Sequence, residues 1–175
     1  MTLITPEHFI RSLRRTPVLL DAVLCGVTQE RARVATDGPD GWSVLHVVCH
    51  LRDFEAIFFQ RARRMVEEER PTLVAYDPEA LAVERDYGAQ DLNEAYRLFL
   101  EARRHFIAWL EARAPEDWER VGLHPEHGAY TLLEQVMYVP LHDLDHLQQM
   151  ARALGLPCDD TAGQFGLAAE AASTP

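Results

Sequence analysis

The sequence predicts an all-α protein built as a four-helix bundle. Four long segments place apolar residues at helical spacing, and capping residues, proline or glycine mark their ends. No segment shows a strand pattern, and two long connections separate helix 2 from helix 3 and helix 3 from helix 4. At 175 residues the chain fits one domain. We place this helical domain at 1–156 and a frayed C-terminal tail at 157–175.

The first two predicted helices each begin at a capping residue. Thr5-Pro6-Glu7 starts helix 1, and the pair Thr16-Pro17 predicts a break or kink within it. Ser43 caps helix 2, which Pro71 ends. One apolar stripe runs along helix 2 through Val44, Val47, Val48, Leu51, Phe54, Phe58, Ala62 and Met65.

Helix 3 follows the first long connection. Residues 71–90 show weak periodicity, so we expect a loop with a short helical turn at 79–84. Asp91 and Glu94 then form a capping box for a helix that runs to about Ala114.

Helix 4 follows a second connection at 115–130. Thr131 and Glu134 form another capping box at its start, and Gly155 and Pro157 end it. Four amphipathic helices of this length favour a bundle over any layered fold.

Composition excludes several classes of function. A formal net charge of -11 argues against nucleic acid or an anionic membrane as partner. No apolar run approaches the roughly 18 residues of a membrane span. The N-terminus does not resemble a signal peptide, so we expect a cytoplasmic protein.

The missing residue types narrow the chemistry further. The chain has no lysine, which excludes a lysine Schiff base and a phosphate-binding P-loop. It has no G-x-S-x-G motif, and its three cysteines indicate no disulfide framework. Histidine and carboxylate chemistry remains.

A histidine pair in helix 4 is the strongest functional signal. His142 and His146 lie one turn apart, with Cβ atoms roughly 6 Å apart on one face of the helix. His50 in helix 2 could complete a three-histidine metal site with an open fourth position. On a helical wheel His50, His142 and His146 flank the apolar stripes, and Asp143 falls near the middle of one, where it needs a partner.

Other candidates are weaker. His46 forms a second i, i+4 pair with His50 but lies further from the stripe, so it competes with His50 only as an alternative ligand. Cys49 points away from the stripe and is expected at the surface or an interface. His124 and His127 fall in the second connection and are expected at the surface.

Two further expectations concern the flanks of helix 2. The three arginines of its last turns are expected to form a solvated face paired with Glu67 and Glu68; they are Arg61, Arg63 and Arg64. Trp42 is expected to pack on the core ahead of the Ser43 cap, with a pocket wall as the alternative.

Two motifs together resemble the DinB-like superfamily. The stretch from Gly41 to Glu55 is similar to its W-S-(x6)-H-L-x-D-x-E signature, and the run from His142 to His146 is similar to its H-x-x-x-H signature. The resemblance implies a four-helix bundle that binds a divalent metal through His50, His142 and His146. Members include S-transferases that use bacillithiol or mycothiol and a mycothiol-dependent isomerase, and dimers are common.

The function expected from these observations is metal-dependent transfer of a low-molecular-weight thiol to an electrophilic small molecule. Zinc is the expected ion, although nickel or iron would accept the same ligands. Asp143 would orient a ligand histidine or accept a proton, with Asp53 and Glu55 as weaker candidates and 71–90 shaping the pocket. A homodimer is expected.

Two rival functions stay open. A metal-dependent hydrolase would use water in place of the thiol. A non-catalytic dimeric stress-response or small-molecule-binding bundle would keep the metal as a structural or vestigial feature.

Overall fold

The computed structural model describes residues 4–156. The predicted tail at 157–175 and Cys158 lie outside them. The elements are α1 (Pro6–Leu24), α2 (Gln29–Val34), α3 (Val44–Glu67), α4 (Pro78–Glu84), α5 (Leu92–Glu111) and α6 (Leu132–Leu154), with 3-10 turns at Tyr87–Ala89 and Pro115–Glu119 and strands β1 (Val121–His124) and β2 (Gly128–Thr131).

The long helices α1, α3, α5 and α6 form the predicted four-helix bundle. Helix α3 packs against both α5 and α6, and α1 packs against the same two helices from the other side. Within the described residues, no helix is both long enough and apolar enough to cross a bilayer.

The predicted helix ends agree with the structure to within a few residues. Ser43 and Asp91 accept hydrogen bonds from the backbone amides three residues later. Thr131 and Glu134 form the reciprocal capping box that begins α6. Gly155 ends α6 with a φ of 71°, a left-handed conformation that glycine adopts without a Cβ penalty.

Of the break or kink expected at Thr16-Pro17, the break was wrong, because α1 continues through both residues. A proline inside a helix leaves the carbonyl four residues earlier without its usual amide donor. Here that carbonyl belongs to Leu13, and Arg103 on α5 donates to it at 3.2 Å. A buried donor from another helix therefore replaces the lost bond.

A β-hairpin and a short helix were missed. Strands β1 and β2 pair antiparallel, and in the first connection Leu73 donates a backbone hydrogen bond to Leu123 of β1, which itself donates to Pro71. A Cβ added at Gly122 would lie 2.7 Å from the Leu73 side chain, so a larger residue would force that side chain to shift. Strands of four residues have too short an alternation to be read from sequence. Helix α2, six residues long, is similarly short.

The core consists of two apolar clusters along the bundle. One lies toward the hairpin and includes Phe58, Met65, Phe106 and Val136. The other lies toward α2 and includes Cys49, which is fully buried. The expectation that Cys49 lies at the surface was therefore wrong, because α3 is covered on more than one side.

A buried polar network joins all four long helices. Arg103 on α5 donates to both carboxylate oxygens of Glu55 on α3, at 2.7 and 2.8 Å. It also donates to Asp143 on α6, at 2.7 and 3.1 Å, and to Thr16 on α1. The Thr16 hydroxyl in turn donates to Asp143 at 2.5 Å. Burial raises the pKa of Glu55 even though Arg103 opposes this effect.

Replacing Arg103 should destabilise the fold strongly. Arg103→Met leaves two buried carboxylates without their cation, which is expected to lower the free energy of unfolding by about 3–5 kcal/mol. Urea unfolding followed by circular dichroism measures the change. The matched control is Arg104→Met, which removes an exposed arginine at the next position and should change stability by less than about 0.5 kcal/mol. Equal effects of the two substitutions would contradict the role assigned to the network.

Candidate metal centre

The structure brings His50, His142 and His146 together between α3 and α6. The Nε2 atoms of His50 and His142 lie 2.9 Å apart. One ring nitrogen from each of the three histidines lies within 4.8 Å of the other two. The ring centroid of His146 lies 4.6 Å from that of His50 and 4.5 Å from that of His142. Three imidazoles from two helices therefore converge on one point.

Burial keeps these imidazoles neutral. It lowers the pKa of His50 to about 3 and that of His142 to about 2, and the proximity of His146 adds to both shifts. Burial also lowers the pKa of His146, although a hydrogen bond from its Nδ1 to Gln149 opposes the shift. A neutral imidazole is the protonation state that binds a metal ion.

The donor set fits a divalent transition metal. Three neutral imidazole nitrogens suit zinc, nickel or iron and leave further coordination positions open. The Nδ1 atoms of His50 and His142 are buried and have no hydrogen-bond partner within residues 4–156. The two Nε2 atoms are close enough for at most one hydrogen bond between them. A metal ion bound between the histidines would give their ring nitrogens a partner that the protein alone does not supply.

The three histidines form one end of a cavity of about 480 Å³. Trp42, Phe54 and Tyr138 provide its aromatic walls, and Asp40 and Glu79 lie at its polar rim. The Trp42 indole donates to Glu79 at 3.0 Å and lies 5.0 Å from the His50 ring. Trp42 therefore forms a pocket wall, which was the alternative to the core packing expected from the sequence. It also contacts the apolar cluster beside α2.

The predicted carboxylates lie near the histidines but point elsewhere. Asp143 hydrogen bonds Arg103 and Thr16, and Glu55 hydrogen bonds Arg103. Asp53 forms ion pairs with Arg52 and Arg85 and accepts a hydrogen bond from Tyr87. In the described part of the chain, none of the three carboxylates hydrogen bonds His50, His142 or His146. The predicted catalytic role of Asp143 stays a prediction, and its contacts favour positioning of α6.

His46 does not join the three histidines. Its Nδ1 lies 2.7 Å from the Ser43 hydroxyl, and its ring lies against Tyr87. Of the two candidates on α3, only His50 belongs to the cluster of three. The alternative that His46 replaces His50 is therefore not supported by the geometry.

The hairpin carries a second group of potential ligands. His124, Glu126 and His127 each offer one atom within 4.8 Å of the others. His127 is exposed, as expected, but His124 is buried, which corrects the expectation for that residue. The cause is the unpredicted hairpin, which turns His124 inward beneath its partner strand.

The arginines of α3 behave differently from one another. Arg63 pairs with Glu67, and Arg64 pairs with Glu68, as predicted. Arg61 was expected on the same solvated face, but it is half-buried and forms no ion pair with any carboxylate of the described residues. Its Nη2 donates to the carbonyl of Val74, because the first connection covers this side of α3.

The metal-free protein should lose stability as pH falls below about 6.5, the ordinary pKa of histidine. His50 and His142 stay neutral when folded, with pKa values of about 3 and about 2. Below pH 6.5 the unfolded chain binds protons that the folded chain does not, so each histidine should contribute roughly 1.4 kcal/mol per pH unit. Urea unfolding between pH 7 and pH 4 measures the slope. His142→Phe should make it shallower, whereas an unchanged slope would contradict the assignment.

Known proteins resemble this chain over most of its length. Residues 12–150 match the family model of the DinB superfamily. A protein of Oceanobacillus iheyensis named "Putative metal-dependent hydrolase" is 24% identical over 147 residues, covering 84% of both chains. YfiT of Bacillus subtilis carries the same designation and is 25% identical over 154 residues, covering 85% of both chains.

Two solved structures share the fold. YfiT from Bacillus subtilis, described as a "probable metal-dependent hydrolase with an unusual four-helix bundle topology", has a TM-score of 0.76 at 23% identity and covers 89% of this chain and 91% of its own. A mycothiol-dependent maleylpyruvate isomerase has a TM-score of 0.71 at 15% identity, covering 86% of this chain and 63% of its own. Because its sequence matches the family model and it carries both signatures and the bundle fold, the chain belongs to the DinB superfamily.

Proposed function

We propose that this chain is a metal-dependent enzyme that acts on a small molecule in the pocket beside His50, His142 and His146. The observation that carries the proposal is the convergence of three neutral imidazoles, two buried and one half-buried, on the lining of an open cavity. The names of the relatives, which describe metal-dependent hydrolases, support the same conclusion. A structural ion would instead require a closed set of four ligands.

The proposed division of labour follows from the geometry. A divalent ion, which we propose to be zinc, would act as a Lewis acid that favours the deprotonated form of a nucleophile. His50, His142 and His146 would hold it, and Gln149 orients the His146 ring through Nδ1. Trp42 and Phe54 pack against the His50 ring and help to hold it in place.

The finer proposal is that the nucleophile is a low-molecular-weight thiol. Its sulfur would form a bond to an electrophilic carbon, and the leaving group would depart with the bonding electrons. The thiol proton would pass to a pocket carboxylate, for which Glu79 is our candidate because its carboxylate is held at the rim by Trp42. The fold shared with a mycothiol-dependent isomerase supports a thiol as cosubstrate.

Hydrolysis is the second candidate function. The names of the curated relatives favour it, and the same cavity admits water to the histidines. The two reactions differ in their dependence on a thiol. Turnover of an ester or amide without added thiol would select hydrolysis, and turnover that requires the thiol would select transfer.

A purely structural role of the metal is less well supported. Two apolar clusters and the Arg103 network hold the bundle together. His50, His142 and His146 are not members of either cluster or of the network. We therefore expect the chain to stay folded when metal is removed. Separately, we propose that the protein acts in the cytoplasm.

Metal binding is tested by elemental analysis of the purified protein. About one zinc, nickel or iron ion per chain is expected, and each of His50→Ala, His142→Ala and His146→Ala should reduce it at least about tenfold. His105→Ala, which removes an exposed histidine from α5, is the matched control and should leave the content unchanged. Circular dichroism verifies that each variant folds.

Activity is then measured as metal-dependent loss of a small thiol in the presence of electrophilic substrates. Chelation should abolish turnover, and restored zinc should recover it. A native protein that contains no metal and takes up none would overturn the proposed function.

A homodimer is also proposed. Several large apolar side chains on α1 and α6 are exposed and line one groove, a feature typical of an interface; they are Leu19, Leu141 and Leu144.

The dimer is tested by sedimentation velocity. Leu144→Glu should convert the dimer into a monomer, because the change places a charge in the apolar face. Val83→Glu alters an equally apolar exposed side chain on α4 and should leave the dimer intact. A wild-type monomer at high protein concentration would refute the proposal.

A further inference from the structure

A second cavity adjoins the histidine pocket. It has a volume of about 660 Å³ and lies between α3, the hairpin and α6. Phe54, Pro78 and Tyr138 line both cavities, so the two share a wall. The two cavities are therefore adjacent, separated by these three side chains.

Arg61 supplies an uncompensated positive charge to this second cavity. Its Nη2 donates to the carbonyl of Val74 at 2.7 Å, but its Nε is buried and has no partner within residues 4–156. Burial lowers its pKa, and only weak effects of nearby tyrosines and Glu126 oppose the shift. A half-buried guanidinium with no paired carboxylate among the described residues is suited to an anionic ligand.

Gln135 supplies an unsatisfied donor to the same cavity. Only 4% of the residue is exposed, and its Nε2 has no hydrogen-bond partner among the described residues. The carboxylates nearby do not fill this role: Glu134 is held by Thr131, and Glu126 is exposed on the hairpin. One cavity is therefore lined by an amide whose Nε2 lacks an acceptor and by a guanidinium whose Nε lacks one.

We propose that Arg61 and Gln135 bind the carboxylate of a small molecule. The planar guanidinium and the amide present fixed donors, which suit a carboxylate better than a neutral group. The apolar body of the ligand would lie against Phe58, Tyr76 and Tyr138.

The residues that the two cavities share indicate how the bound ligand would be oriented. With its carboxylate at Arg61, its other end reaches toward His50, His142 and His146 through the region of Phe54 and Tyr138. This step rests on the proposed function, because it identifies the ligand as substrate or cosubstrate. The carboxylate site itself does not depend on it.

The carboxylate site is tested by NMR titration with phenylacetate and with its neutral counterpart phenylacetamide. The wild-type protein should bind the acid at least roughly tenfold more tightly than the amide. Arg61→Gln should abolish that preference, and Gln135→Leu should reduce it several-fold. The matched control is Arg63→Gln, which removes an exposed arginine two residues away and should keep the preference.

Two further measurements separate this inference from the proposed function. Arg61→Gln should unfold within about 1 °C of the wild type, because the residue is half-buried and forms no ion pair among the described residues. His142→Ala should keep the preference for the acid even though it loses metal. An acid that binds no more tightly than the amide, or a preference that survives in Arg61→Gln, overturns the carboxylate site whatever the activity proves to be.

Discussion

One buried cation determines how the four long helices meet. Arg103 on α5 reaches Glu55 on α3, Asp143 on α6 and Thr16 on α1, and each contact is shielded from water. In so apolar a setting a misplaced partner is costly, so the network favours the arrangement of the helices that pairs all of its members. Because Asp143 directly follows His142, the same network helps to set the rotation of α6 and thereby the direction of the His142 and His146 imidazoles.

The sequence predicts those features of the molecule that depend on local patterns. Helical periodicity and capping residues give the four long helices and their ends, since both signals lie within a few residues of the element they specify. The histidines were found in the same way, from a one-turn spacing and from their place beside an apolar stripe. The bundle and the superfamily were confirmed, while the identity of the bound ion stays a prediction.

Features that depend on distant partners were missed. Arg103 has no local signature, although it occupies an apolar-stripe position between Phe99 and Phe106, and Asp143 in its own stripe required a cation. Those two observations together could have predicted the ion pair between Arg103 and Asp143. Arg61 was assigned to solvent with its neighbours Arg63 and Arg64, because nothing in the sequence shows that the hairpin covers it.

The burial of Cys49 protects the chain from its own proposed chemistry. An enzyme that handles electrophiles risks alkylation of any thiolate close to its pocket, and Cys49 is the neighbour of His50 in sequence. Its side chain is fully buried in the other apolar cluster, and burial raises the pKa of its thiol to about 11. The thiol therefore remains protonated at neutral pH, so under the proposed reaction it would neither intercept the substrate nor be alkylated.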